Sequence, residues 1–185
     1  MLTRKIKTIV KWSAITFISC CYFIALFFAK RNFSDFTETE SRRVSSSMTI
    51  GEYHNAVSIA QVNSGVIDEV GFFGFFICIA LILFIFKKND TIQTKRNGSM
   101  FFLRWGGIIF ILSCYLIGVF ISLQPMSVFM ENETLQLSNP VSAQVYSYSL
   151  QQIKEASDRI FYGYVYGFLV CMPLITILFK KVRTT

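Results

Sequence analysis

Four long apolar runs alternate with polar segments along the chain, at residues 9–29, 67–86, 101–123 and 160–179. A hydrocarbon core of about 30 Å needs roughly 20 residues of helix to cross it, and each run is long enough. Lipid offers no hydrogen bonds, so a spanning segment must satisfy its own backbone, and each run is expected to be an α-helix. The segments 30–66 and 124–159 are more polar and read as two long outer loops. Within the second, residues 142–159 set Val145, Tyr148, Leu150 and Ile153 against Lys154, Glu155 and Asp158, a pattern that predicts a short amphipathic helix lying on the membrane. Residues 50–62 are its weaker counterpart, with Tyr53 matching Tyr146.

The pattern occurs twice. Shifted by 93 places without a gap, residues 12–88 match 105–181 at 24 of 77 positions. Trp12, Cys21, Tyr22, Glu38, Glu40, Gly74 and Cys78 fall on Trp105, Cys114, Tyr115, Glu131, Glu133, Gly167 and Cys171, and the pair Lys87-Lys88 falls on Lys180-Lys181. Shared hydrophobicity does not explain coincident Trp, Glu and Lys. The expected fold is therefore an all-α membrane protein: four transmembrane helices built from two tandem helix-loop-helix repeats, residues 1–92 and 93–185. Each repeat crosses twice, so both enter from the same side, as parallel repeats about an axis along the membrane normal.

Composition agrees: 53% of residues are apolar, 20 are Phe and only 16% carry charge. The net charge of +7 is an average over two unlike faces. The ends and the middle segment hold 12 of the 18 Lys and Arg with one acid, Asp90, giving +11; the outer segments hold six basic and ten acidic residues, giving −4. The positive-inside rule puts both ends of the chain in the cytoplasm, with a bacterial inner membrane the expected location. The basic residues are read as topology signals touching anionic lipid, and no nucleic-acid partner is expected. Lys11-Trp12 and Arg104-Trp105 are expected to anchor the helices at the inner interface.

The side chains suggest packing more than chemistry. Tyr22 and Tyr115 lie mid-span, where a phenol needs a partner, and are expected to face the bundle interior. Gly74, Gly163 and Gly167 are small residues of the kind that let membrane helices approach closely. Pro173 is expected to bend the fourth span, where its counterpart is Ala80. All five Cys fall within predicted spans, so no disulfide framework stiffens the outer side. At 1.5 Å per residue, Cys21 lies about 16 Å and Cys78 about 12 Å above the inner boundary, so that Cys21, Cys78, Cys114 and Cys171 share a depth near the bundle axis. They are expected to pack as small apolar residues, with a soft-metal site for Cu(I) or Hg(II) as the alternative. No metal or other cofactor is expected.

No acid lies deep in a span, which weighs against a proton or ion relay. The single His, His54, stands alone, and no nucleophile–base pair or phosphate-cradling glycine loop is present, so an enzyme is not expected. Glu38, Glu40, Glu131 and Glu133 would form a symmetric acidic rim at which a cationic partner docks. The expected function is non-enzymatic protein–protein recognition, with the bilayer and a second protein as partners. In length, span count, inward ends and two outer loops, the chain resembles the inner-membrane immunity proteins of pore-forming bacteriocins. That resemblance is one of layout and rests on no motif; it implies a toxin as the partner. An accessory subunit of a membrane complex fits the same features. The alternative class is a conductor: a channel, a small transporter or a membrane-acting defence effector.

Overall fold

A computed structural model describes residues 2–43, 47–90, 105–121 and 140–181. All four elements are helices: α1 (Leu2–Arg43), α2 (Ile50–Asp90), α3 (Trp105–Ile121) and α4 (Ala143–Lys181). Three of them, α1, α2 and α4, are long and apolar enough to cross a membrane, and α3 is a shorter apolar helix. The protein is thus an integral membrane protein by the length and composition of its helices. Residues 101–104 and 122–123 of the third expected span lie outside the described residues.

The long helices have 42, 41 and 39 residues, or roughly 60 Å each, about twice the thickness of the hydrocarbon core. The excess is at the end that carries the Met48–Val141 bridge and corrects the sequence-based expectation. Residues 30–43, 50–66 and 143–159, read as outer loops with short helices lying on the membrane, are instead continuous with the spans and stand out from them. The physical reason is that one apolar stripe with helical spacing serves either lipid or another helix. Here the stripes face one another: Phe33, Tyr53, Val57, Ala60, Tyr146, Leu150 and Ile153 are all buried in the part of the bundle nearest the Met48–Val141 bridge.

α2 and α4 run in the same direction along the centre. The seam positions along α2 are 53, 57, 60, 64, 67, 71, 75, 78 and 82, and along α4 they are 146, 150, 153, 157, 160, 164, 168, 171 and 175; Ile79, Ser149 and Met172 are buried beside them. Steps of three and four residues give a coiled-coil-like seam, and two successive fours, across Gly71 and across Tyr164, form a stutter in it. The two sets of positions differ by 93 throughout. On α1 and α3 the same holds for Ile15 and Ile108, Tyr22 and Tyr115, and Leu26 and Val119. The buried hydroxyls on the seam are satisfied within their own helices: Ser64 donates to the Gln61 carbonyl at 2.9 Å and Ser157 to the Ile153 carbonyl at 2.8 Å.

α1 packs antiparallel against α2 and α4, with Ile18 at Cys78, Tyr22 at Gly71 and Phe168, and Lys30 at Asp158, and α3 packs antiparallel against α4, with Gly107 at Leu178 and Tyr115 at Gly167. Facing outward are Phe17, Ile24, Phe27, Phe73, Ile77, Phe110, Ile117, Phe120 and Leu169, the large apolar side chains a lipid-facing surface needs. Helix α4 continues through Pro173, whose missing N–H leaves one backbone bond unmade, and the Thr176 hydroxyl donates to the Pro173 carbonyl at 2.8 Å.

Candidate recognition surface and the axial clusters

The tip where α2 and α4 begin is closed by backbone pairing. Met48 N–H donates to the Val141 carbonyl at 3.0 Å, and Val141 N–H donates to the Met48 carbonyl at 2.9 Å. Both helices then start with a cap. The Thr49 hydroxyl and Glu52 carboxylate form a capping box, in which the Thr49 N–H and hydroxyl each donate to Glu52 at 2.9 Å, while Ser142 Oγ accepts from the Val145 N–H at 3.4 Å. The Thr49 donors hold the exposed Glu52 carboxyl below its ordinary 4.5.

Below the caps, Tyr53 and Tyr146 meet edge to face across the axis with centroids 6.1 Å apart. The Tyr53 hydroxyl bonds Ser149 Oγ at 2.8 Å, and Ser149 donates to its own helix at the Val145 carbonyl. The Tyr146 hydroxyl donates to Glu40 at 3.4 Å. Glu40 is therefore turned inward to a buried phenol, whereas Glu38 is exposed and pairs with Arg42 one turn along α1. Glu131 and Glu133, the other half of the expected acidic rim, lie outside the described residues. Further along the bundle, Lys30 bridges to Asp158 at 3.3 Å, and its ammonium sits 4.4 Å from the Phe161 ring centre and 4.6 Å from that of Tyr162.

Within the spans the axis is filled with aromatic rings. Tyr22 stacks on Phe168 at 4.7 Å, Phe75 stacks on Tyr115 at 3.7 Å, and Phe75 meets Phe168 edge-on at 6.1 Å. Tyr22 and Tyr115 are buried, as their mid-span position implies. The Tyr22 hydroxyl donates to the Gly71 carbonyl at 3.3 Å. The Tyr115 hydroxyl is buried beside that of Tyr22, and among the described residues no well-formed hydrogen-bond partner reaches it. The glycines give the rings room: a Cβ at Gly74 would stand 3.0 Å from Tyr22, and one at Gly167 only 2.4 Å from Tyr115. Gly163 is half-buried on α4. Gly71 leaves space for the ring of Tyr164, whose hydroxyl donates to Asp68.

The four repeat-matched cysteines do not converge on the axis. Cys78 and Cys171 are buried, whereas Cys21 and Cys114 are exposed on the bundle surface. Cys21 neighbours Cys78, and Cys114 neighbours Cys171, so each thiol has its neighbour within its own half of the chain. Cys78 spends its hydrogen on the Ile18 carbonyl at 3.8 Å. Among the described residues no three His, Cys, Asp or Glu side chains come together as a metal centre would need. Trp12 and Trp105 are exposed, Trp12 in the N-terminal part of α1 and Trp105 at the first described residue of α3, and Lys11 is half-buried beside Trp12; Arg104 lies outside the described residues.

The Asp68–Tyr164 pair escaped sequence reading because neither partner repeats: the counterpart of Asp68 is Phe161, and that of Tyr164 is Gly71. A signal was nevertheless present. Gly71 and Tyr164 are counterparts of each other and meet across the seam, so a small residue in one copy has to accompany a large one in the other. Comparison with known proteins found no family model, no curated protein and no solved structure that matches this chain.

Proposed function

We propose that the chain is a pair of tandem parallel helical hairpins with four spans and both ends in the cytoplasm of a bacterial inner membrane, and that it works by protein–protein recognition rather than by catalysis. The observation that carries this reading is the outer projection. Three helices extend as one packed bundle well beyond the length a membrane needs, and backbone pairing and two caps fix its tip. Rigid, solvent-facing helices of this kind offer a preorganised surface to a partner. The tandem reading is supported by the same 93-residue offset in the buried positions and by reciprocal contacts: Tyr22 on Phe168 mirrors Tyr115 on Phe75, and Met48 pairs with its own counterpart Val141. The third span would be completed by residues flanking α3.

The partner is a protein in the membrane or on its outer side, which makes the chain an immunity protein against a membrane-active toxin or an accessory subunit of a membrane complex. Glu38 stands exposed on the projection, and Glu131 and Glu133 belong to the equivalent stretch of the second copy. Aromatic filling of the axis at Tyr22, Phe75, Tyr115 and Phe168 favours this reading over a conducting path.

The test is co-purification of the full chain from mild detergent with identification of bound proteins. A stoichiometric partner lost when Glu38, Glu131 and Glu133 are all changed to Gln supports acidic docking, and unchanged binding eliminates it. Glu40→Gln is kept separate because Glu40 also bonds Tyr146. Ion flux through the protein reconstituted alone would replace recognition with a channel or transporter.

A further inference from the structure

Beside α2, where the span reaches the outer boundary, a cleft of about 550 Å³ opens between α2, α3 and α4. This is within the usual size range of small-molecule sites. Its walls are apolar, formed by Phe72, Leu116, Ile117 and Phe120, with Ile117 and Phe120 more than half exposed toward the surrounding lipid. Among the described lining residues, the polar groups are Asp68 and Tyr164, at one corner. Tyr164 donates to one Asp68 oxygen, Oδ1, and the second oxygen is left to accept from elsewhere. Glu69 follows on the exposed side of the helix.

The matching place on the opposite side of the bundle is built differently. There Lys30 supplies an ammonium that sits over Phe161 and Tyr162 and bridges to Asp158. A shift of 93 residues turns Phe161 into Asp68, Tyr162 into Glu69 and Lys30 into Leu123. The second corner thus carries the acids but has lost the cation. Segment 122–139, which follows α3, contains no Lys or Arg. Among the described residues no ion pair reaches Asp68. A carboxylate at headgroup height, next to an apolar cleft open to lipid, calls for a cation that arrives on an acyl chain.

We propose that this cleft binds an ethanolamine phospholipid of the outer leaflet, whose primary ammonium donates to Asp68 while an acyl chain lies along Phe72, Leu116, Ile117 and Phe120. A primary ammonium has N–H donors for the free carboxylate oxygen; the quaternary choline group has none, and a glycerol headgroup brings no positive charge. This site is separate from the outer tip and does not depend on a protein partner.

The experiment is native mass spectrometry of the full chain, released from detergent with equal amounts of dioleoyl phosphatidylethanolamine, phosphatidylcholine or phosphatidylglycerol. The ethanolamine lipid is expected to be retained in preference to the other two. Asp68→Asn should lower its retention about 5-fold, the upper end for a partly exposed ion pair, while Asp68→Glu keeps the preference. Ile117→Trp, at a lipid-exposed position, should fill the cleft and reduce retention without touching the core, which guards against Asp68→Asn simply failing to fold. Equal retention of ethanolamine and choline lipids by the wild type, or undiminished retention by a folded Asp68→Asn protein, overturns the proposal. So does a co-purified protein that excludes lipid from the site.

Discussion

Gly74 and Gly167 occupy matching positions against matching tyrosines, yet they should respond unequally to the same methyl group. In Gly167→Ala the new Cβ would stand 2.4 and 2.7 Å from two ring carbons of Tyr115. Carbon contacts settle near 3.5–4.0 Å, so the ring would have to retreat by about 1 Å. It cannot, because Phe75 is stacked on it at 3.7 Å and is itself fully buried. Helix α4 must shift instead, at an overpacking cost of about 1–3 kcal/mol. The better helix propensity of Ala offsets at most about 1 kcal/mol of that, leaving a net loss of roughly 1–2 kcal/mol. In Gly74→Ala the nearest Tyr22 atoms lie at 3.0 and 3.1 Å, and Phe168 behind that ring is looser, at 4.7 Å. A retreat of a few tenths of an ångström suffices, and the net effect should fall within about 0.5 kcal/mol. Thermal unfolding in mild detergent should register Gly167→Ala as a drop of roughly 2–8 °C and Gly74→Ala as about 2 °C or less. In a Tyr115→Ala background the Gly167→Ala penalty should vanish, since the clashing ring is gone. A Gly74→Ala protein less stable than Gly167→Ala, or a Gly167→Ala penalty that persists without Tyr115, refutes the steric origin of the difference.

Three further outcomes are expected. Tyr22→Phe should lose about 1 kcal/mol with its bond to Gly71, whereas Tyr115→Phe removes a buried hydroxyl that lacks a well-formed bond and should be neutral or stabilising; the reverse order in thermal unfolding refutes the assignment. The lowered carboxyl of Glu52 stabilises the start of α2 above its unfolded value near 4.5, and this contribution is lost as pH falls through the lower folded value. The difference in melting temperature between wild type and Glu52→Gln should therefore shrink toward zero on acidification below about pH 4, and a pH-independent difference counts against the capping box; Thr49→Ala at the same cap should cost about 1 kcal/mol. Finally, Met48→Cys with Val141→Cys should form a disulfide under mild oxidation, because paired residues in an antiparallel bridge hold their Cα atoms about 5.5 Å apart. A membrane-impermeant reductant added outside intact cells should reverse that cross-link; protection from it would place this tip in the cytoplasm.

Much of the membrane part was legible because lipid imposes so few solutions. The runs at 9–29, 67–86 and 160–179 fall inside α1, α2 and α4, and the inward orientation of Tyr22 and Tyr115 followed from the cost of a phenol in hydrocarbon. The outer segments misled because an amphipathic stripe does not name what it faces. Val57, Leu150 and Ile153 have the spacing of a membrane-surface helix, and only the meeting of α1, α2 and α4 shows that they pack on one another. Cys21 and Cys114 were placed near the axis by depth alone, but depth says nothing about rotation, and both point outward. The Lys30–Asp158 pair was hidden for a related reason: its members belong to different copies, 128 positions apart, and neither charge recurs at the shifted position.

The unbroken seam of α2 and α4 has a mechanical consequence. From Tyr53 to Cys78, and from Tyr146 to Cys171, each helix runs about 38 Å with no loop at the water–lipid boundary and no proline along the way. A push on the tip therefore has no joint at which to dissipate, and it travels inward as torque on two stiff levers. The place best suited to absorb it is the stutter beside Gly71 and Tyr164, where the supercoil locally unwinds and where Asp68 stands.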